Sequence, residues 1–147
     1  MPDQFVPDDF TPPTSLEGDG FRLEPLGPAH NERDYEAWTS SMDHIRSTPG
    51  DWKSWPHEMT LEDNLGDLER HARDFAERKG FTYSVLDGDE VVGCLYIYPD
   101  REDGTEAEVS SWVRESRAEL DSVVWRAVID WLERDWPFAT FSYADRP

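Results

Sequence analysis

The sequence predicts an α+β domain, and three observations carry that expectation. Residues 81–85 and 90–98 have strand character and are joined by Asp87-Gly88-Asp89, and residues 106–113 follow after a second polar turn, which is the pattern of an antiparallel meander. Residues 61–75 carry a clear helical stripe. The run at 106–113 then passes through a polar link at 114–116 into an amphipathic run at 119–132. Strands grouped in sequence, with helices on either side, belong to a mixed and mostly antiparallel central sheet flanked by helices.

Taken in order, residues 1–19 carry Pro2, Pro7, Pro12 and Pro13 among acids, with Phe5, Val6 and Phe10 as apolar groups. They read as an extended, partly docked arm ahead of a domain at 20–147. Phe21-Arg22-Leu23-Glu24-Pro25-Leu26 alternates and then meets proline, as a first strand does. Residues 28–38 form a helix with Tyr35 and Trp38 on one face, and residues 40–46 add a short second one. Residues 48–57, with Trp52, Trp55 and Pro56, read as an aromatic-rich loop. Thr60 caps the next helix, in which Leu61, Leu65, Leu68, Ala72 and Phe75 recur at helical spacing, and Gly80 is expected to end it. His71 lies beside that stripe, as a boundary residue.

The strand at 90–98 is nearly all apolar around Cys94, and Gly93 within it signals a bulge or a close backbone approach. The period of two in 106–113 sets Glu106, Glu108, Ser110 and Trp112 on one face, with Ala107, Val109 and Val113 on the other. The last helix buries Val123, Val124, Ala127, Val128, Trp131 and Leu132. Pro137 stops it before a terminal strand at 138–143.

With 147 residues the chain forms one domain with one core. It has no run near the roughly 18 apolar residues of a membrane span, and no basic, apolar leader at its start. The lone Cys94 reads as a small buried hydrophobe in a reducing cytoplasm. Net charge is −19, from 33 acids against 14 bases, and Lys53 and Lys79 are the only lysines. That field repels nucleic acid and anionic membranes. It fits a chain kept hydrated in concentrated salt (a halophilic protein), or a chain acidic for solubility or for a cationic substrate. His30, His44, His57 and His71 show no metal-ligand spacing, so no metal is expected.

The element order is similar to that of the GCN5-related N-acetyltransferase (GNAT) superfamily over residues 20–147. Its carriers are Phe21-Arg22-Leu23-Glu24-Pro25-Leu26 as first strand, Glu90-Val91-Val92-Gly93-Cys94-Leu95 as third, and 106–114 leading into a helix that contains Trp125-Arg126-Ala127-Val128-Ile129-Asp130-Trp131-Leu132. The resemblance implies a GNAT-like sheet without the family's usual C-terminal helix and strands. It implies transfer of an acetyl group from acetyl-CoA to a small or peptidyl amine. The fourth strand would offer backbone at Trp112 and Val113 to pantetheine. The family's Arg/Gln-x-x-Gly-x-Gly/Ala loop would place Arg114, Arg117, Ala118 and Ser122 at the pyrophosphate. Glu108, or Glu106, would be the base.

The departures from that pattern are physical. Leu120 and Ser122 stand where the loop has glycines, so Cβ atoms enter the space that backbone N–H groups need to reach phosphate. Glu119 and Asp121 add negative charge beside an anionic ligand. Ser116-Arg117-Ala118-Glu119 also has capping-box spacing, by which the helix would satisfy its own N–H groups, with Asp121 as an alternative cap. A carboxylate base needs a raised pKa, hence burial. The terminal strand would leave an aromatic edge, to be covered by a second copy in a homodimer or by the arm through Phe5 and Phe10. Two functions follow from the residues: an acetyltransferase, or a GNAT-like binding or dimeric interaction module without the phosphate-loop chemistry.

Overall fold

The computed structural model describes residues 4–50, 52, 55–100 and 104–146. Residues 1–3 of the arm, 51, 53 and 54 of the aromatic loop, 101–103 of the second turn and Pro147 lie outside the described residues. Six strands form one sheet in chain order: β1 (Leu16–Gly18), β2 (Phe21–Pro25), β3 (Phe81–Asp87), β4 (Glu90–Pro99), β5 (Ala107–Val113) and β6 (Phe141–Tyr143). Neighbours run antiparallel except β5 and β6, which are parallel. A parallel pair requires a crossover, and α4 (Leu120–Asp135) supplies it. The helices α1 (Asn31–Thr39), α2 (Met42–Ser47) and α3 (Leu61–Ala76) lie between β2 and β3 in the chain.

Strand alternation divides the interior into two cores. Phe81, Tyr83 and Val85 of β3, Leu95 and Ile97 of β4, and Ala107, Val109 and Val113 of β5 pack with Val124, Val128, Trp131 and Leu132 of α4. On the opposite face Leu86, Val91, Cys94 and Trp112 meet Ala37 and Trp38 of α1, Ile45 of α2 and Leu68 of α3. Gly93 marks a bulge: it pairs with Val85 while Val91 pairs with Leu86, which leaves Val92 as the extra residue. The glycine is required, because a Cβ there would stand 2.2 Å from the carbonyl oxygen of Trp112. Both features expected of Gly93, a bulge and a close backbone approach, are present, and the strand keeps its pairing to β5.

Three local expectations are corrected. The third helix does not run to Gly80; it ends at Ala76, and Arg78 takes the left-handed position with φ 63°. Lys79 N–H bonds the Asp74 carbonyl and Arg78 N–H the Phe75 carbonyl, which is a Schellman ending carried by a residue other than glycine. Gly80 is needed for a different reason, since the Tyr98 ring fills the place of its missing Cβ. Ser116 makes no capping box. Residues Glu115–Arg117 form a 3-10 turn, and the chain enters α4 through Ala118 and Glu119, both already helical; the extended cap conformation falls earlier, at Arg114, which makes no side-chain capping bond. Asp121 lies inside the helix and does not cap it.

The terminal strand is shorter than expected, three residues instead of six. Phe138 stacks on Phe5 at 5.1 Å, and Phe10 packs on Trp136 at 5.2 Å. The arm therefore packs through Phe5 and Phe10 on the aromatic residues that precede β6. Within the arm, Leu16–Gly18 pairs with β2 as β1, and Tyr83 Oη donates to the Pro13 carbonyl at 2.6 Å.

Candidate functional site

The two sides of β5 differ. Against β4 it pairs along its whole length, from Pro99↔Ala107 to Gly93↔Val113. Against β6 it pairs only at Ala107, Glu108 and Val109. Pairing stops at Val109 because β6 ends at Tyr143, and the side of β5 left without a strand partner beyond that point, here called the wedge, leads toward the start of α4. Backbone groups alternate sides along a strand. Arg114 N–H bonds the Val92 carbonyl, and the Trp112 carbonyl faces Gly93. Trp112 and Arg114 are thus turned to β4, while Ser111 and Val113 present their backbone to the wedge. Of the two residues expected to face a pantetheine arm, only Val113 has that orientation.

The wedge is filled from within the chain. Arg146, whose side chain is 1% exposed, lies along it. Its Nη2 donates to the Ser111 carbonyl at 2.9 Å, and its Nε to Asp121 Oδ2 at 2.6 Å. Its Nη1 donates to the carbonyls of Ala144 at 2.9 Å and Pro49 at 3.2 Å. Beside it, the Tyr143 and Ser111 hydroxyls bond at 2.5 Å. Of the two strand carbonyls that face the wedge, that of Ser111 is already taken.

The phosphate end is closed by the same kind of contact. Leu120 is buried and packs near Gly20. The N–H groups of Arg117, Ala118 and Asp121 go to the carbonyls of Arg114, Glu115 and Ala118, and Glu115 N–H goes to Ser41 Oγ. Arg114 holds Glu36 through both terminal nitrogens and reaches Glu90 at 3.4 Å. Arg117 holds Asp87 at 2.9 Å, Glu119 at 3.2 Å and Glu90 at 3.6 Å. These two arginines carry four carboxylates between them, and the bond from Arg114 draws the Glu36 carboxyl below its ordinary pKa. A pyrophosphate would have to displace acids from both. Ala118 and Ser122 are exposed.

The proposed bases lie apart from this closed region. Glu106 and Glu108 are both exposed, so neither has the desolvation that tunes a carboxylate base. Glu106 Oε2 accepts the Ala139 N–H at 2.6 Å and fixes the turn before β6. Glu108 stands opposite Tyr98 on one side and Ser142 on the other. On the same face Trp112 is buried, its Nε1 donating to Tyr96 Oη at 3.0 Å, and Trp55 packs over it at 5.9 Å. The aromatic loop thus fills the α1–α3 side of β5. His71 is half-buried, with Nδ1 2.8 Å from Tyr98 Oη and 3.0 Å from Thr82 Oγ1, and burial lowers its pKa to about 4. Among the described residues no group of three or more His, Cys, Asp or Glu is placed to hold a metal ion, and no helix is long and apolar enough to cross a membrane.

No protein-family model matches this chain, and no curated protein matches it in sequence. Solved structures do match it in fold. The ribosomal-protein-S5-alanine acetyltransferase of Vibrio fischeri is 15% identical with a TM-score of 0.64, over 82% of this chain and 67% of that one. Mycobacterium smegmatis RimJ, solved with CoA-disulfide, is 14% identical with a TM-score of 0.68, over 90% and 66%. The microcin C7 self-immunity acetyltransferase MccE, solved with acetyl-CoA and AMP, is 14% identical with a TM-score of 0.62, over 83% and 66%. The chain spans about two thirds of each. Its fold is the GNAT fold, a six-stranded sheet flanked by helices.

Sequence reasoning singled out the handover from β5 to the start of α4 but missed Ser111 and Arg146, which meet beside it. Asp121 was legible only as an unwelcome charge or an alternative cap. Nothing local marks Arg146, because its partners other than the Ala144 carbonyl lie 25, 35 and 97 residues away. The residues present do not fit the pyrophosphate and pantetheine of acetyl-CoA in this arrangement.

Proposed function

We propose that the chain is a GNAT-fold binding module that does not take up acetyl-CoA. The observation that carries this reading is the Arg146 guanidinium, buried in the wedge on the Ser111 carbonyl and Asp121. The missing glycines, the buried Leu120 and the acid-bound Arg114 and Arg117 support it independently. Calorimetry with acetyl-CoA at low and at molar KCl tests it. The expected result is neither heat nor a thermal shift at millimolar ligand, in either salt. One-to-one binding at micromolar ligand overturns the reading.

A second reading is an N-acetyltransferase acting on a small or peptidyl amine, its acceptor cationic in keeping with the acidic surface, with Glu108 as base. The observation favouring it is the wedge itself, with the backbone of Ser111 and Val113 turned into it, in a fold whose solved examples include acetyl-CoA and CoA complexes. Arg146→Ala separates the two. If only Arg146 excludes the coenzyme, the variant binds acetyl-CoA; if the phosphate end is also lost, it does not. A homodimer and an origin in a high-salt cytoplasm belong with either reading. Sedimentation at micromolar concentration and melting in rising KCl test them respectively.

A further inference from the structure

The niche that excludes a coenzyme has the chemistry of a guanidinium receptor. Its lining consists of acceptors: the Asp121 carboxylate, the carbonyls of Ser111, Ala144 and Pro49, and Ser111 Oγ at 3.4 Å. The Tyr143 ring lies 5.6 Å from the guanidinium carbon, within cation–π reach. Asp121 Oδ1 is buried and has no hydrogen-bond partner among the described residues, so the carboxylate has capacity for a further donor. A guanidinium brings a planar fork of donors and is weakly hydrated, whereas an ammonium is a compact and strongly hydrated point charge. With no cation present, the Asp121 carboxylate and the carbonyls of Ser111 and Pro49 would face one another without a donor, which is costly, while the Ala144 carbonyl leaves with Arg146. The niche therefore calls for a guanidinium whenever Arg146 leaves it.

The segment that delivers Arg146 has few backbone contacts: β6 pairs over three residues, and Asp145 is exposed. Its hold on the fold comes from side chains, the Tyr143–Ser111 hydroxyl pair and Arg146 itself. Opening it therefore costs what those bonds are worth, a cost that a guanidinium supplied in trans offsets. A chain of net charge −19 also draws cationic segments toward it.

We propose that the β5–β6 niche is an arginine-binding site, occupied in cis by Arg146 and able to exchange it for an arginine side chain on a short extended peptide in trans. The inference rests on the binding-module reading and names the ligand class for it. Two sources share this chemistry: residues 141–147 of a second copy, and an arginine-bearing segment of another protein.

The test uses the full chain with Arg146→Ala, and Arg146→Lys as the milder variant should the first fail to fold. Arg146→Ala is expected to melt about 10 °C lower than the parent chain, as the loss of one partner from a buried ion pair implies. Millimolar methylguanidinium recovers part of that loss in either variant, and methylammonium does not. The peptide Phe-Ser-Tyr-Ala-Asp-Arg-Pro binds Arg146→Ala about tenfold or more tightly than its lysine counterpart, as the planar fork requires. The unaltered chain binds the same peptide more weakly, by the fraction of molecules in which the niche is open. Concentration-dependent dimerisation of the unaltered chain, lost in Arg146→Ala, assigns the trans ligand to a second copy. A monomer that still binds the peptide assigns it to another protein. Equal responses to methylguanidinium and methylammonium, or to the arginine and lysine peptides, overturn the site. An unaltered chain that takes up no peptide at millimolar concentration overturns exchange in trans. Acetyl-CoA titrated into the same variant fails or succeeds separately, so the module reading falls without altering the arginine selectivity.

Discussion

Asp34 and Asp121 lie on opposite sides of the sheet, and the interior treats them differently. Asp34, on α1, is 5% exposed, and its Oδ2 accepts one hydrogen bond from Asn64 Nδ2 at 3.2 Å. Asn64 in turn accepts from Trp38 Nε1 and donates to Asn31, so the cluster is polar but holds no cation. Desolvation dominates there, the Asn64 bond only partly offsets it, the Asp67 charge adds to it, and the Asp34 pKa rises to about 6. Asp121, on α4, meets Arg146 at 2.6 Å. One acid is kept by the fold as a group close to its proton, the other as half of an ion pair. In a desolvated site a neutral amide does not replace a counter-charge.

Four substitutions break or sharpen that contrast, and the largest effect is expected at Asp121. Asp121→Asn leaves the Arg146 guanidinium buried among carbonyls with no counter-charge, and a loss of about 3–5 kcal/mol is expected in urea unfolding. A loss below about 1 kcal/mol would mean that water, not the protein, surrounds the pair.

Asp34→Asn should act in the other direction as pH rises. The folded pKa, about 6, lies above the ordinary value of 3.8. The folded state therefore holds its proton longer, and stability is full below about pH 4 and falls as pH rises to 6. The shift corresponds to about 3 kcal/mol. Relative to the unaltered chain, Asp34→Asn should gain roughly that much between pH 4 and pH 7.5. Unfolding differences that are the same at both pH values would refute the buried-acid account.

His71 has the opposite sign. Its folded pKa, about 4, lies below 6.5, so its contribution is present above pH 6.5 and is lost as pH falls toward 4. In the same window the two groups offset each other in the unaltered chain. His71→Gln removes that offset, so stability of the variant should fall more steeply than that of the unaltered chain as pH rises from 4 to 6.5, by less than Asp34→Asn changes the profile, because His71 is only half-buried. A profile that keeps its slope in the variant would refute the His71 contribution.

Arg117→Ala should matter least. Its partners are solvent-exposed carboxylates, and surface pairs of this kind contribute about 0–1 kcal/mol. A larger loss would show that the arginine-and-acid cluster at the phosphate end is a structural lock.

Much of the fold was legible because its determinants are local. The alternation in 81–85, the Asp87-Gly88-Asp89 turn with Gly88 at φ 61°, and the stripe from Leu61 to Phe75 each state their geometry within a few residues. The α3 ending was misread for the same reason: Gly80 looks like a cap in sequence, while Tyr98, eighteen residues on, is what requires it. Leu16 offered no alternation long enough to announce β1.

The candidate site was legible as a place and not as a chemistry. Sequence alone determined that a strand at 106–113 hands over to a helix without glycines and with acids at its start, since that depends only on residue order and the absence of side chains small enough for phosphate. It also determined the acidic surface and the buried Cys94. Only the tertiary structure decided what occupies the parting of β5 and β6, because Arg146, Asp121, Ser111 and Pro49 converge from distant parts of the chain. It likewise decided which of two aspartates has a cation within reach. Charge in a protein interior is governed by distance and solvent access, and neither is written in the order of the residues.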